Sequence, residues 1–159
     1  AASESFTRAP EILGSSNGSL LICDTPGTNS LQEKFKSNLY IAQAMNFLPV
    51  SCVMVVVKAE ERIDNVINNL SGYLLRFVPD DLPENLLSVC VTHMDNVAWR
   101  ENELIQHLHS QFRIKSATFI SLNTTQLDLR NKLYSECSSR SPTNLNIDSA
   151  VFFHAIQSQ

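Results

Sequence analysis

The sequence has little of what marks a membrane-spanning, nucleic-acid-binding or zinc-binding protein. No apolar run approaches the roughly 20 residues of a membrane-spanning helix. Lysine and arginine total 12 against 16 acidic residues, and the net charge of -4 argues against a nucleic-acid partner. The four cysteines form no C-x-x-C spacing, so the sequence predicts no structural zinc site.

The composition is that of a folded domain. The chain has 159 residues, of which 43% are hydrophobic and 18% charged, enough for one domain with a sizeable core. Cys23, Cys52 and Cys90 fall in or at the start of predicted buried strands. With Cys137 they are interpreted as free thiols of a reducing, cytoplasmic compartment, and disulfides are not predicted.

Two short apolar runs each lead into an aspartate. Leu20–Cys23 precedes Asp24, and Leu86–Val91 precedes the segment Thr92-His93-Met94-Asp95. Such unbroken runs predict strands buried on both faces of a sheet. In open α/β sheets, ligands bind beyond the carboxyl ends of such strands, so both aspartates are candidate ligand-binding residues.

The two carboxylates suit different parts of a nucleotide. Asp24, followed by Thr25-Pro26-Gly27, can hold a hydrated Mg²⁺ beside a phosphate, which the backbone N–H of Gly27 can approach because glycine has no Cβ. Asp95 can accept two hydrogen bonds from N1 and N2 of guanine, a pairing that adenine cannot match. Taken alone, the first stretch is equally an acidic turn capping the following helix.

The two stretches together resemble GTPase motifs. Asp24-Thr25-Pro26-Gly27 looks like the third motif, and Thr92-His93-Met94-Asp95 looks like the fourth, with His93 in place of the usual lysine. This version is similar to the septin-like branch, which includes the immunity-associated and chloroplast-translocon GTPases. The resemblance covers roughly Ser5 to Cys137. It implies an α/β fold of the P-loop NTPase type, with a mostly parallel sheet and helices on both faces.

The resemblance also implies a domain organisation and a function. It predicts a partial G domain over residues 1–137 and a carboxy-terminal extension over residues 138–159. The implied function is a guanine-nucleotide-binding switch that takes GTP or GDP with Mg²⁺ and possesses GTPase activity in a longer parent. A protein partner or a second copy across the nucleotide face is also compatible with it.

The resemblance implies one set of nucleotide-binding residues: Asp24, Thr25, Pro26, Gly27, Thr92, His93, Asp95, Ser121 and Leu122. Asp24, through water, and Thr7 of the first switch loop would hold Mg²⁺, although Thr7 is equally an ordinary exposed threonine. The backbone N–H groups of Ser121 and Leu122, joined by Asn123, would contact the guanine O6. His93 would stack on the base in place of a lysine stem, which predicts weakened guanine selectivity.

One expected motif is not in the sequence. The phosphate-binding pattern G-x-x-x-x-G-K-[ST] does not occur, and the chain has only four glycines. The resemblance puts that loop and its strand before Ala1. The chain is therefore expected to be a fragment; the alternative is a pseudo-GTPase that no longer binds nucleotide and acts as a protein interaction module. An unrelated flavodoxin-like domain would explain the strands but not the paired aspartate turns.

Hydrolysis is a weaker expectation than binding. GTPases often place a glutamine that positions water just after the Asp-x-x-Gly turn, whereas Thr28-Asn29 stands here. Any hydrolysis by the parent is therefore expected to be slow, or to be completed by a partner in trans.

Local patterns predict the remaining elements. Asn17-Gly18 predicts a hairpin turn between Arg8–Leu13 and Leu20–Cys23. Leu31, Phe35, Leu39 and Ala42 predict the apolar face of a helix that ends at Pro49. The continuous β-branched run Cys52–Val57 predicts a central strand. Further helices are predicted over residues 63–77, 100–112 and 127–137, and a short last strand over residues 118–121.

Overall fold

The computed structural model describes residues 10–25 and 34–148. The described strands are β1 (Glu11–Gly14), β2 (Leu21–Asp24), β3 (Val53–Lys58), β4 (Leu87–Thr92) and β5 (Ala117–Phe119). The described α-helices are α1 (Lys34–Phe47), α2 (Ile63–Phe77), α3 (Glu101–Phe112) and α4 (Gln126–Ser138). The fold is therefore mixed α/β, as the sequence predicts. The described residues divide into two compact units, one formed by those up to Pro49 and from Asn144 to Asp148, the other by Val50–Thr143.

The first unit contains the predicted hairpin. β1 and β2 pair antiparallel, with Glu11 opposite Asp24 and Gly14 opposite Leu21. Gly18 has a φ of 68° in the connecting turn, a conformation that glycine adopts without steric cost. The Asn17 Oδ1 accepts hydrogen bonds from the Ser15 and Ser19 hydroxyls at 2.8 and 2.7 Å. The hairpin prediction is confirmed.

The prediction that β2 is buried on both faces is wrong. Leu21 is 59% exposed and Ile22 40% exposed, and the Cys23 thiol is exposed as well. Among the described residues, β2 pairs with β1 alone. An apolar run of this length fits a strand with or without covering layers, because burial depends on what packs on it and not on the run itself.

The face that helix α1 buries also differs from the face predicted from the sequence. Leu39 is 37% exposed, whereas Ile41, Ala42 and Met45 are buried, so the predicted stripe is wrong at Leu39 and right at Ala42. Leu31 and the side chain of Phe35 lie outside the described residues. The helix ends before Pro49, as predicted. Near its end, the Asn46 amide exchanges two hydrogen bonds with the backbone of Ile147, at 2.8 and 2.9 Å.

The second unit is built on a parallel sheet. The described strands follow the order β3-β4-β5, so β4 is the middle strand, and the prediction that β3 is central is wrong for this sheet. Val57 pairs with Val91, and Val91 with Phe119. The predicted helices α2, α3 and α4 and the strands β4 and β5 are confirmed with boundaries shifted by at most two residues.

Successive side chains of a strand point to opposite faces of the sheet, so the strand residues that a helix contacts show which face it covers. The face that carries Val57, Val91 and Phe119 packs with α2 and α3. Its core consists of Val57, Ala59, Val66, Ile67, Leu70, Val89, Val91, Leu104, Leu108, Ile114 and Phe119. The opposite face carries Ser88, which is fully buried and donates a hydrogen bond to Glu136 of α4 at 3.0 Å. Helices therefore lie on both faces of this sheet. None of the described helices has the length and apolarity needed to cross a membrane.

Candidate functional site

The carboxyl ends of β3, β4 and β5 meet at one edge of the parallel sheet, called the carboxyl edge below. The Ala59 N–H donates to the Thr92 carbonyl at 2.8 Å and so joins the ends of β3 and β4. The Met94 N–H donates to the Ile120 carbonyl at 3.1 Å and so joins the ends of β4 and β5. Five of the predicted site residues lie on this edge: Thr92, His93, Asp95, Ser121 and Leu122.

Asp95 lies in a short 3₁₀ turn, Met94–Asn96, that follows β4. Its Oδ2 accepts the backbone N–H of Leu122 at 2.8 Å, across 27 residues of sequence. The side chain is exposed. An ionised carboxylate has about four acceptor positions, so this one bond leaves capacity for further donors from solvent or a ligand.

His93 makes the turn from the strand into the 3₁₀ turn. Its φ and ψ of 61° and 36° are in the left-handed region, which costs a residue with a Cβ about 1–2 kcal/mol. Its Nδ1 is 2.9 Å from the Thr92 hydroxyl, which fixes one ring nitrogen against the end of β4. His93 is exposed and stands two residues before Asp95 in the sequence, at the carboxyl edge.

The loop after β5 is closed by its own hydrogen bonds. The Ser121 N–H donates to the Thr124 hydroxyl at 3.0 Å, and the Thr124 N–H donates back to the Ser121 carbonyl at 3.1 Å. The Leu122 N–H is engaged by Asp95. Two of the three N–H groups that the resemblance assigns to the base, those of Ser121 and Leu122, thus already have partners in the chain. The Leu122 side chain is 90% exposed, an unusual state for leucine.

Two residues at this edge were not predicted from the sequence. Thr124 holds the loop closed, and its position three residues after Ser121 is a spacing at which such side-chain-to-backbone bonds recur. Lys132 of α4 donates from Nζ to the Phe119 carbonyl at 2.8 Å and brings a positive charge to the end of β5. No local pattern indicates Lys132, because its role depends on where α4 packs.

The remaining predicted site residues belong to the first unit. Asp24 is the last residue of β2 and is exposed, and Thr25 is partly buried. Thr7, Pro26 and Gly27 lie outside the described residues, as do Thr28 and Asn29. That Asp24 and Asp95 line one site stays a prediction.

Among the described residues, Asp24 is the one predicted magnesium ligand. Within residues 10–25 and 34–148, no three histidine, cysteine, aspartate or glutamate side chains cluster as a metal-binding group. Mg²⁺ usually keeps several waters and needs only one or two protein carboxylates beside substrate phosphates. Asp24 can supply one such carboxylate.

Comparison of the chain with models of protein families and with curated proteins finds no match.

Proposed function

We propose that the carboxyl edge is the base-recognition part of a guanine-nucleotide site in a septin-like G domain of the P-loop NTPase type. The observation that carries the proposal is the 2.8 Å hydrogen bond from the Leu122 N–H to the Asp95 carboxylate. It joins the residues that the resemblance assigns to the fourth and fifth GTPase motifs, which lie far apart in the sequence. The bond supports one site at which these residues act together.

Asp95 supplies the chemistry for guanine. The base presents two donors side by side, N1–H and the N2 amino group, and an exposed carboxylate accepts both. Adenine presents an acceptor at N1 and no amino group at C2, so the same carboxylate repels it. The bond from Leu122 orients the carboxylate, and an orientation fixed before binding reduces the entropy lost when the base binds.

Two exposed side chains beside Asp95 suit a planar base. The His93 ring can stack on a purine face, and the Leu122 side chain offers an apolar surface that gains from being covered. The N–H of Asn123, an exposed residue, is the next donor in the loop after the two that are engaged. We therefore assign the contact with O6 to Asn123, with Ser121 and Leu122 shaping the loop around it.

The proposed function is that of a cytoplasmic switch domain. Asp24 would hold Mg²⁺ through water, and the chemistry that Mg²⁺ supplies when bound is charge neutralisation at the phosphates. Asp95 selects the base, and Thr92 and Thr124 hold the two loops that carry the selecting groups.

A protein-interaction module without nucleotide is the second candidate. The observation that favours it is the hairpin of β1 and β2, on which four large apolar side chains are 40–59% exposed: Ile12, Leu13, Leu21 and Ile22. Exposed apolar patches often mark protein-binding surfaces.

Amide shifts of the ¹⁵N-labelled chain test the proposal directly. GDP, titrated into the millimolar range, is expected to move the amides of residues 120–124, including Leu122, and equimolar ADP is expected to leave them unchanged. Asp95→Asn should weaken the GDP response by about 10- to 100-fold, since hydrogen bonds to a charged acceptor contribute about 1.5–3 kcal/mol. The same variant should gain a response to xanthosine diphosphate, because the asparagine amide donates to the O2 that replaces the guanine amino group.

Asp81→Asn is the matched control, because Asp81 is an exposed aspartate in the loop before β4, at the other end of the strands. It should leave the GDP response unchanged. Equal responses to GDP and ADP, or an Asp95→Asn variant that still binds GDP as the parent does, would show that Asp95 does not read guanine. A folded chain without any nucleotide response would favour the interaction module.

A further inference from the structure

The turn of the hairpin contains a residue pair that the proposed function does not use, Asn17 followed by Gly18. Both residues are exposed in the loop between β1 and β2. A bond between the Gly18 backbone nitrogen and the side-chain amide carbon of Asn17 would close a five-membered ring. Gly18 has no Cβ that obstructs this ring closure. The pair therefore places a nucleophile and an electrophile at a spacing at which an asparagine can react with its own backbone.

The side-chain oxygen of Asn17 is held by three donors. The Ser15 and Ser19 hydroxyls donate to Oδ1 at 2.8 and 2.7 Å, and the Ser19 backbone N–H donates to it at 3.2 Å. The last of these bonds folds the side chain back along the chain towards Gly18 and Ser19. When a nucleophile adds to the amide carbon, negative charge develops on Oδ1, and the three donors stabilise that charge as an oxyanion hole does.

One hydrogen bond opposes the reaction. The Gly18 N–H donates to the Ser15 carbonyl at 2.9 Å, and this bond must break before the nitrogen can attack. A single neutral hydrogen bond in an exposed turn slows such a step by about 2- to 10-fold. Three donors on the side-chain oxygen, set against one bond lost at the nitrogen, leave the balance in favour of reaction.

We propose that Asn17 is a self-modifying residue, which converts to aspartate and isoaspartate through a cyclic imide formed with Gly18. The Gly18 nitrogen gives its proton to solvent and attacks the Asn17 side-chain carbon, and the side-chain nitrogen takes up a proton and leaves as ammonia. One water molecule then opens the imide. Opening at the side-chain carbonyl gives aspartate, and opening at the main-chain carbonyl gives isoaspartate. The reaction consumes one water, releases one ammonia and needs no oxidant or reductant.

The products change the charge and the length of the turn. Each adds a carboxylate, and isoaspartate also adds one carbon atom to the backbone path between Ser15 and Leu20. These two residues close the loop through a hydrogen bond of 2.9 Å from the Ser15 N–H to the Leu20 carbonyl. Because turn geometry fixes the register of a hairpin, isoaspartate should loosen the pairing of β1 with β2, including that of Glu11 with Asp24.

Incubation of the full chain in mildly alkaline buffer, followed by mass spectrometry, tests the proposal. Tryptic peptide 9–34 should gain the mass difference between an amide and a carboxylic acid. Fragmentation should place the gain at Asn17 and not at Asn29 of the same peptide. An isoaspartyl methyltransferase should label this peptide, which distinguishes isoaspartate from aspartate. Asn17→Gln should abolish the gain, because the longer glutamine side chain closes its six-membered ring far more slowly.

Ser19→Ala separates the contribution of the turn from the reactivity of the residue pair. Loss of the hydroxyl should slow the conversion in the folded chain by about 2- to 10-fold, the share of one neutral hydrogen bond. Ser16→Ala, at an exposed serine of the same turn, is the matched control and should leave the rate unchanged. In urea, Ser19→Ala and the parent should convert at equal rates, because the hydrogen bonds of the turn are then lost. A cross-strand nuclear Overhauser effect between Ile12 and Cys23 shows that the hairpin is intact in each variant.

Asn123 is the internal comparison, because it is an exposed asparagine followed by Thr124, whose Cβ obstructs ring closure. It should convert more slowly than Asn17. An Asn17 that stays unmodified, or an Asn123 that converts first, would overturn the proposal. A folded Ser19→Ala variant that converts as fast as the parent, or faster, would also overturn it, because the donors to Oδ1 would then give the reaction no help.

Discussion

Glu136 lies at the centre of the buried network at the end of α4, and its removal gives the sharpest stability prediction. Its Oε2 accepts hydrogen bonds from the Ser88 hydroxyl at 3.0 Å, the Ser116 hydroxyl at 2.8 Å and Arg140 at 3.1 Å. The Glu136 side chain is 15% exposed and that of Arg140 is 12% exposed. Glu136→Ala leaves a buried guanidinium without its counter-charge and the buried Ser88 hydroxyl without its closest acceptor.

The magnitude follows from what remains in the variant. Breaking a buried ion pair costs about 3–5 kcal/mol. Arg140 keeps the backbone carbonyls of Asn85 and Glu136 as acceptors, which favours the low end, about 3 kcal/mol. With a urea dependence of about 2 kcal/mol per molar, the unfolding midpoint should fall by about 1.5 M. Glu136→Gln should lower the unfolding midpoint by less, because the amide oxygen of glutamine still accepts hydrogen bonds from Ser88 and Ser116.

An exposed ion pair in the same unit supplies the matched control. Arg113 and Glu84 are 3.3 Å apart with side chains 79% and 63% exposed. Glu84→Ala should cost less than about 0.5 kcal/mol, since exposed pairs contribute little. Urea unfolding followed by circular dichroism compares the two variants. If Glu136→Ala and Glu84→Ala lowered the midpoint equally, burial would not be what makes the Glu136 network stabilising.

Two helix termini give further predictions. Arg113 ends α3 with a φ of 56°, a left-handed conformation that glycine adopts without a steric penalty. Arg113→Gly should therefore raise the free energy of unfolding by about 0.5–1 kcal/mol. A fall in the urea midpoint would contradict this. Thr125 caps α4 by accepting the Asp128 N–H at 3.1 Å, so Thr125→Ala should lower the melting temperature at a cost of about 1 kcal/mol, with Thr125→Ser as a near-neutral control. A Thr125→Ala variant that melts with the parent would show that the cap adds no stability.

Local patterns predict the type of each element well in the second unit. The helical spacing from Ile63 to Phe77 predicts α2 with its observed bounds, because a long amphipathic period has few alternative structures. The apolar run before Thr92 predicts β4, which is indeed buried. These signals depend only on neighbours in the sequence.

What covers an element could not be predicted in the same way. The runs that form β2 and β3 are as apolar as β4, yet β2 is exposed and Val56 of β3 is 58% exposed. Their environment depends on contacts with distant segments, which no local pattern contains. The contact of Asp95 with Leu122, by contrast, follows from parallel strands that end at one edge of the sheet.

Helix α4 makes side-chain contacts near both ends of the strands of the parallel sheet. Lys132 contacts the end of β5, and Glu136, one turn later, contacts the residues at the start of β4 and β5. Each residue of an α-helix advances the side chains by about 100°. A single residue inserted between these two positions would therefore turn one group of contacts out of register with the other. The spacing of these side chains along α4 thus ties the position of the end of β5 to the integrity of the buried network around Glu136.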